Sequence, residues 1–122
     1  MSRTGRCLCG AVSYSVEGDP IATAVCHCEH CQRQSGSAFS VNLMVHESQL
    51  TVDGEMGTYE EMGERGDAVY VRRRFCGNCG SALISELVQA NGMVAVKVGT
   101  LDYKSDIQPV AEVWCVDRQP WV

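Results

Sequence analysis

The sequence predicts a small all-β domain of short strands, and three features carry that reading. Short segments rich in β-branched and aromatic side chains recur along the chain, separated by turn residues. No stretch sustains the i, i+3, i+4 apolar pattern of a helix for more than a turn or two. Seven of the eight cysteines gather in close clusters, which gives a small domain with few helices a way to tie its strands together.

The predicted strands, in order, are "AVSYSV" (11–16), "FSVNLMV" (39–45), "AVYVRRRF" (68–75), "ALISELV" (82–88), "MVAVKVG" (93–99) and "AEVWCV" (111–116). Each is partly alternating, and β-branched side chains favour the pleated backbone. Turn signals separate them: "EGDP" at 17–20, "VDGEMG" at 52–57, "ERGD" at 64–67 and "NG" at 91–92. The last is a hairpin dipeptide, because Asn and Gly both accept positive φ. Only "EHCQRQ" (29–34) fits a short helix, with Gly36 to end it. The acidic stretch 53–67, with Asp53, Glu55, Glu60, Glu61, Glu64 and Asp67 against one arginine, reads as a solvated loop. Without a repeat or a linker, residues 1–122 are expected to form one domain.

Composition narrows the function classes. A hydrophobic fraction of 45% with 20% charged residues is that of a folded protein with a modest core. The net charge of −5 argues against a nucleic-acid partner, which needs a basic face; "RRR" at 72–74 is the one basic cluster. No window approaches the roughly 18 apolar residues of a membrane span, and no apolar run follows the N-terminal basic residues. The expected setting is cytoplasmic, without a membrane partner.

A cytoplasmic setting opposes a disulfide framework. Spacing opposes it too, since disulfides stabilise most when they join distant residues. Metal binding accounts better for "CLC" (7–9), "CHCEHC" (26–31) and "CGNC" (76–79). In "FCGNCGS" two intervening residues and a following glycine let the backbone wrap an ion and point its amides at the sulfurs. Cys7 and Cys9 lie two apart on extended chain and lean the same way. Together Cys7, Cys9, Cys76 and Cys79 make a closed, structural four-thiolate zinc site. A redox CxxC would need a helix and a βαβ setting that this pattern lacks. Cys26, Cys28 and Cys31 remain, three ligands for a second zinc with a vacant fourth position, as expected of a catalytic centre. Three thiolates make a weak Lewis acid, which favours thiol chemistry over hydrolysis. Closure of the site by His30 or another residue would make it structural instead. The H-x-E…C-x-x-C deaminase pattern fits "HCE" and "CGNC" only loosely, with Phe75 where proline belongs and five cysteines left without a role.

In order and spacing, "CLCGAVSY", "CHCEHCQRQSGSAF", "RRFCGNCGSAL", "VGTLD" and "RQPWV" resemble the glutathione-dependent formaldehyde-activating enzyme family, to which centromere protein V is also similar. The resemblance implies a β-tent fold with structural zinc on Cys7, Cys9, Cys76 and Cys79 and catalytic zinc on Cys26, Cys28 and Cys31. It implies carbon–sulfur bond formation or cleavage of the kind that joins glutathione and formaldehyde as S-hydroxymethylglutathione. Many members have a histidine before the final aromatic segment; this chain has Glu112.

Other residues have plainer expectations. His27, between two ligands, points away from the metal toward solvent or a supporting role. His46 is a surface residue at a strand end. Cys115 is a buried apolar thiol. Arg72 and Arg74 share one strand face and Arg73 takes the other. Arg73 is the expected contact for an anionic substrate group. Ser35, Gly36 and Ser37 either line the pocket or make a turn. Two function classes follow: a zinc-dependent carbon–sulfur lyase acting on a small thiol, glutathione among the candidates, or a non-catalytic binding module stabilised by its two zinc ions.

Overall fold

The computed structural model describes residues 2–122. Its strands are β1 (Ser2–Arg6), β2 (Ser13–Glu17), β3 (Ala22–Cys26), β4 (Ser40–His46), β5 (Leu50–Asp53), β6 (Met56–Met62), β7 (Val69–Cys76), β8 (Ala82–Leu87), β9 (Met93–Lys97) and β10 (Ala111–Val113), with one helix, α1 (Glu29–Ser35). Three strands form a small antiparallel sheet in the order β1-β2-β5. The other seven form a sheet in the order β10-β3-β4-β9-β8-β7-β6. Its neighbours are antiparallel except β10, which runs parallel to β3 at the edge. The protein is all-β, as its pattern predicts.

The core forms where the small sheet meets one face of the large one. Val12, Tyr14 and Val16 pack there with Leu43 and Val45 of β4 and Val94 and Val96 of β9. Leu43 stands opposite Val96 and Val45 opposite Val94, so the alternation of both strands sends these side chains to one face. Polar ties join β1 to the segment after β9. Arg3 donates two hydrogen bonds to Asp106, at 3.1 and 2.6 Å, and Thr4 donates to Asp102 at 2.7 Å.

Helix α1 is short because its boundaries are set by chemistry at both ends. The Cys28 sulfur accepts the Cys31 N–H at 3.2 Å and acts as the N-cap, while Gly36, at φ 70°, turns into the left-handed region and closes the last turn onto Gln32. A side chain there would be strained, and glycine is the usual solution. Asn91 and Gly92 both have positive φ, 50° and 82°, in keeping with their reading as a hairpin dipeptide.

All six predicted strands exist, but four others escaped the pattern: β1, β3, β5 and β6. The acidic stretch is no loop. Its residues 56–62 are β6, paired with β7 from Met56 opposite Cys76 to Met62 opposite Val69. The glutamates that suggested solvation face the arginines of β7: Glu60 accepts from Arg72 at 3.0 Å and Glu61 from Arg73 at 2.9 Å. Opposite charges on paired strands support the pairing. At the other edge the predicted strand 111–116 stops at Val113, because Trp114 adopts a left-handed φ of 56° and residues Cys115–Asp117 coil into a 3-10 turn. Cys115 is consequently exposed and not the core thiol expected of it. Among the described residues no helix is long and apolar enough to cross a membrane.

Leu43 is 1% exposed at the centre of this core. Leu43→Ala is expected to lower unfolding free energy by about 2–5 kcal/mol in urea titration. Val116→Ala, at a position 88% exposed, should change it by less than about 0.5 kcal/mol.

Candidate metal centres

Two groups of cysteines converge in space, and they are the two that the spacing separates: Cys7, Cys9, Cys76 and Cys79, and Cys26, Cys28 and Cys31. Within each group the sulfurs lie within 4.8 Å of one another. In the first, Cys7 and Cys9 follow β1 on a tight turn that returns the Cys7 N–H to the Val12 carbonyl at 3.0 Å. Cys76 ends β7, and Cys79 follows on the turn that brings the Gly80 N–H to the Cys76 carbonyl at 2.8 Å. One pair therefore comes from the small sheet and the other from the large one.

The donor set fits a metal. A tetrahedron with metal–sulfur bonds of about 2.3 Å has edges of about 3.8 Å. Cys7 and Cys9 sulfurs are 3.7 Å apart, and those of Cys9 and Cys76 are 3.8 Å apart. Hydrogen bonds already point at the sulfurs, from the N–H groups of Val12 to Cys7 at 3.3 Å, Ala11 to Cys9 at 3.4 Å and Asn78 to Cys76 at 3.4 Å. The Ser81 hydroxyl accepts the Leu8 N–H at 3.0 Å and lies 3.2 Å from the Cys79 sulfur. That contact leads the causes that bring the Cys79 thiol down to about 5.

The second group is built on the β3–α1 junction. Cys26 ends β3, Cys28 caps α1 and Cys31 lies in its first turn. Cys26 and Cys31 sulfurs are 3.5 Å apart. The contact between these two sulfurs holds Cys31 down to about 4 and pushes Cys26 up. Cys28, the Ser40 hydroxyl and the charge of Arg73 add to the same preference for charge on Cys31. Cys26 and Cys31 are buried, and Cys28 is partly exposed.

Cys28 opens onto a cavity of about 520 Å³. Glu29, His30, Glu61, Met62, Gly63, Glu64, Tyr70, Arg73, Trp114 and Asp117 complete its wall. A larger groove of about 670 Å³ runs along the Glu29, Gln32, Arg33 and Gly36 side of α1 to Trp121, but it holds no cysteine, so the smaller cavity is the one with chemistry beside it. Gly36 and Ser37 line that larger groove and not the cavity at Cys28.

Arg73 is 5% exposed and takes the face opposite Arg72 and Arg74. Its Nε donates to Glu61 at 2.9 Å and its Nη1 stands 4.0 Å from the Cys31 sulfur. Glu61 also pairs with His30 Nδ1 at 3.0 Å. Burial works to raise the Glu61 carboxyl, and the bonds from His30 and Arg73 outweigh it, leaving the group below its ordinary value. Glu61 thus couples α1 to β7 at the cavity wall. A strand reading of 56–62 is the signal that would have found it.

His27 does point away from the cysteine group, into the protein interior: it is fully buried. Its Nε2 donates to Glu112 at 2.9 Å, its ring meets Phe39 at 5.9 Å, and its N–H bonds the Val113 carbonyl at 3.0 Å. These contacts dock β10 beside the cysteine loop and also set His27 apart from Cys76 and Cys79, as a deaminase centre would not. Trp114 and Asp117 reach the cavity through a turn that no sequence periodicity marks, and Tyr70 reaches it from the start of β7.

The family model described as glutathione-dependent formaldehyde-activating enzyme matches residues 2–117. No curated protein matches the chain. A crystal structure of a Rhodobacter sphaeroides protein is similar in fold, with a TM-score of 0.68 and 23% identity over 89% of this chain and 98% of that one. With the match spanning all seven clustered cysteines, the chain belongs to the glutathione-dependent formaldehyde-activating enzyme family.

Proposed function

We propose that this protein is a zinc-dependent carbon–sulfur lyase acting on the adduct of a small thiol and a small carbonyl compound. The observation that carries the reading is the position of Cys28, one of three clustered thiols, in the wall of a cavity large enough for such an adduct. Cys7, Cys9, Cys76 and Cys79 would hold a structural zinc, and Cys26, Cys28 and Cys31 a second one. An ion held by three thiolates supplies a fourth position where a thiol binds and loses its proton.

The net reaction joins the thiol sulfur to the carbonyl carbon. The carbonyl π electrons move to oxygen, and the thiol proton ends on that oxygen; cleavage reverses each step. Arg73 serves the reacting end of the substrate. Its Nε is engaged by Glu61 and its Nη1 faces Cys31, so its charge is aimed at the oxygen on which negative charge develops more than at a distant carboxylate. His30, with Nδ1 held by Glu61, is the cavity group suited to carry the proton between sulfur and oxygen. Tyr70, Trp114 and Met62, each about half exposed, give the cavity an apolar wall against which the adduct would rest.

Glutathione and formaldehyde are the partners that the family's name implies. The rim qualifies that choice, because it carries three carboxylates, Glu29, Glu64 and Asp117, while the charge of Arg73 is engaged by Glu61. A thiol bearing an ammonium group meets attraction there, and one bearing several carboxylates meets repulsion. In a panel of small thiols, cysteamine is therefore expected to bind more tightly than mercaptoacetate, with the difference shrinking as salt is raised. Calorimetric titration of the zinc-loaded protein reads both effects.

Metal analysis of protein purified without chelator should find two zinc ions per chain, one released more readily. Cys76→Ser removes a ligand that ties the sheets together, and its melting temperature should fall by about 10 °C or more. Cys28→Ser should melt much closer to wild type, because serine keeps the cap of α1, yet abolish the thiol response. The reverse order of melts would exchange the roles of the two centres, and a zinc-loaded protein blind to every thiol would make it a binding module.

A further inference from the structure

The face of the large sheet turned away from the core carries a buried polar row. Cys26 stands opposite Ser40 on β4, and Asn42 stands opposite Lys97 on β9. Residues two apart on a strand share a face, so Ser40, Asn42 and Lys97 lie on the side of Cys26. All three are buried, at 5%, 5% and 8% exposure.

Their hydrogen bonds run in one direction. Lys97 Nζ donates to Asn42 Oδ1 at 2.8 Å, and Asn42 Nδ2 donates to Ser40 Oγ at 3.0 Å. An ammonium has donors only, which fixes the amide with its oxygen toward Lys97 and its nitrogen toward Ser40. The Ser40 oxygen is then occupied as an acceptor, and its hydroxyl stands on the strand position directly opposite Cys26. Both bonds of the row donate toward the three-cysteine group.

Lys97 has no carboxylate within ion-pair distance among the described residues. Burial lowers its ammonium from its ordinary value, while Cys31 is the first of the charges that draw it back up. A buried cation without a counter-charge is costly, and the hydrogen-bonded row leads from Lys97 to the strand position opposite Cys26. Arg73 approaches Cys31 separately at 4.0 Å. The four-cysteine centre has nothing of this kind: its sulfurs receive backbone N–H groups, the Asn78 amide and the Ser81 hydroxyl.

We propose that Lys97, acting through Asn42 and Ser40, is a positioning residue of the three-cysteine centre, a buried counter-charge that lets the centre take an anionic sulfur as its fourth ligand. The inference rests on the metal-bearing reading given under Proposed function. Three thiolates with a divalent ion carry a net charge of about −1. Lys97 and Arg73, offset by Glu61, bring the surroundings close to neutral before the substrate thiolate enters.

The test uses full-length protein loaded with cobalt at both centres, titrated with 2-mercaptoethanol, whose lack of charge removes any effect of the acidic rim. The readout is the sulfur-to-cobalt absorption band, with the four-cysteine cobalt as internal reference. Lys97→Met is expected to weaken thiol binding about tenfold. Ser40→Ala should weaken it less, and Ser40→Thr, which keeps the hydroxyl, should restore it. The double variant Lys97→Met/Ser40→Ala should be no worse than Lys97→Met alone, since both cut one relay. Additive losses, or wild-type thiol affinity in Lys97→Met, overturn the proposal. Should Lys97→Met fail to fold, the Ser40 pair decides: equal affinities in Ser40→Ala and Ser40→Thr overturn it. If the wild-type cobalt protein binds no thiol, the lyase reading falls. Cobalt release then judges Lys97 by itself, expected about tenfold faster from the three-cysteine centre of Lys97→Met, with unchanged release counting against it.

Discussion

The meeting of Cys7 and Cys9 with Cys76 and Cys79 is the constraint on which the rest of this structure depends. One pair hangs from the edge of the small sheet and the other from the end of β7 in the large sheet, so their convergence fixes how the two sheets face each other. Cys7 and Cys76 are themselves members of the apolar core, at 2% and 1% exposure. Four sulfurs this close repel as thiolates and gain little as thiols. A bound cation would turn the repulsion into a strong cross-link between the two sheets. The small sheet of three short strands is held to the rest of the molecule by the core beneath Tyr14 and by the ties of Arg3 and Thr4 to the segment after β9.

With one face of the large sheet committed to the core, the other is available for chemistry. Helix α1 lies against β4 on that side and brings Cys28 and Cys31 back over Cys26. The charges around this cluster are layered. Glu29, Glu64 and Asp117 stand at the cavity rim, while Lys97 and Arg73 are buried near the sulfurs. In the proposed function such a field would orient a small thiol with its sulfur inward and any ammonium group outward. Glu61 sits between the layers and joins His30 to Arg73, so the position of the helix and the direction of the guanidinium are coupled through one carboxylate.

Much of this was legible in the residues, and what was missed has a common cause. The cysteine partition could be read from spacing because ligands of one ion come as local pairs whose geometry depends on a few backbone angles. Strands rich in Val, Ile and Leu could be read because their burial is apolar. By contrast β1, "SRTGR", and β6, "MGTYEEM", are held by pairing and by charges on a neighbouring strand, information that no local window contains. Glu61 was assigned to solvent on the same ground. Cys115 failed differently: its neighbours are apolar, but the left-handed turn at Trp114 ends the strand one residue earlier, and a single dihedral decides which way the thiol faces.

Ser40, Asn42 and Lys97 illustrate the limit most clearly. Alternation of polar and apolar residues on β4 and β9 implies one face toward the core and one toward water, and the apolar half of that implication holds for Leu43, Val45, Val94 and Val96. The polar half does not, because the face is covered and its side chains are withdrawn from water. A sheet optimised only for stability would place valine or isoleucine there, since a buried ammonium bonded to a single amide gains less than it loses in hydration. Local rules of stability tend to be broken where function requires it. Here the departure is directional: each donor in the row points toward the three-cysteine cluster, whose Cys28 opens onto a cavity.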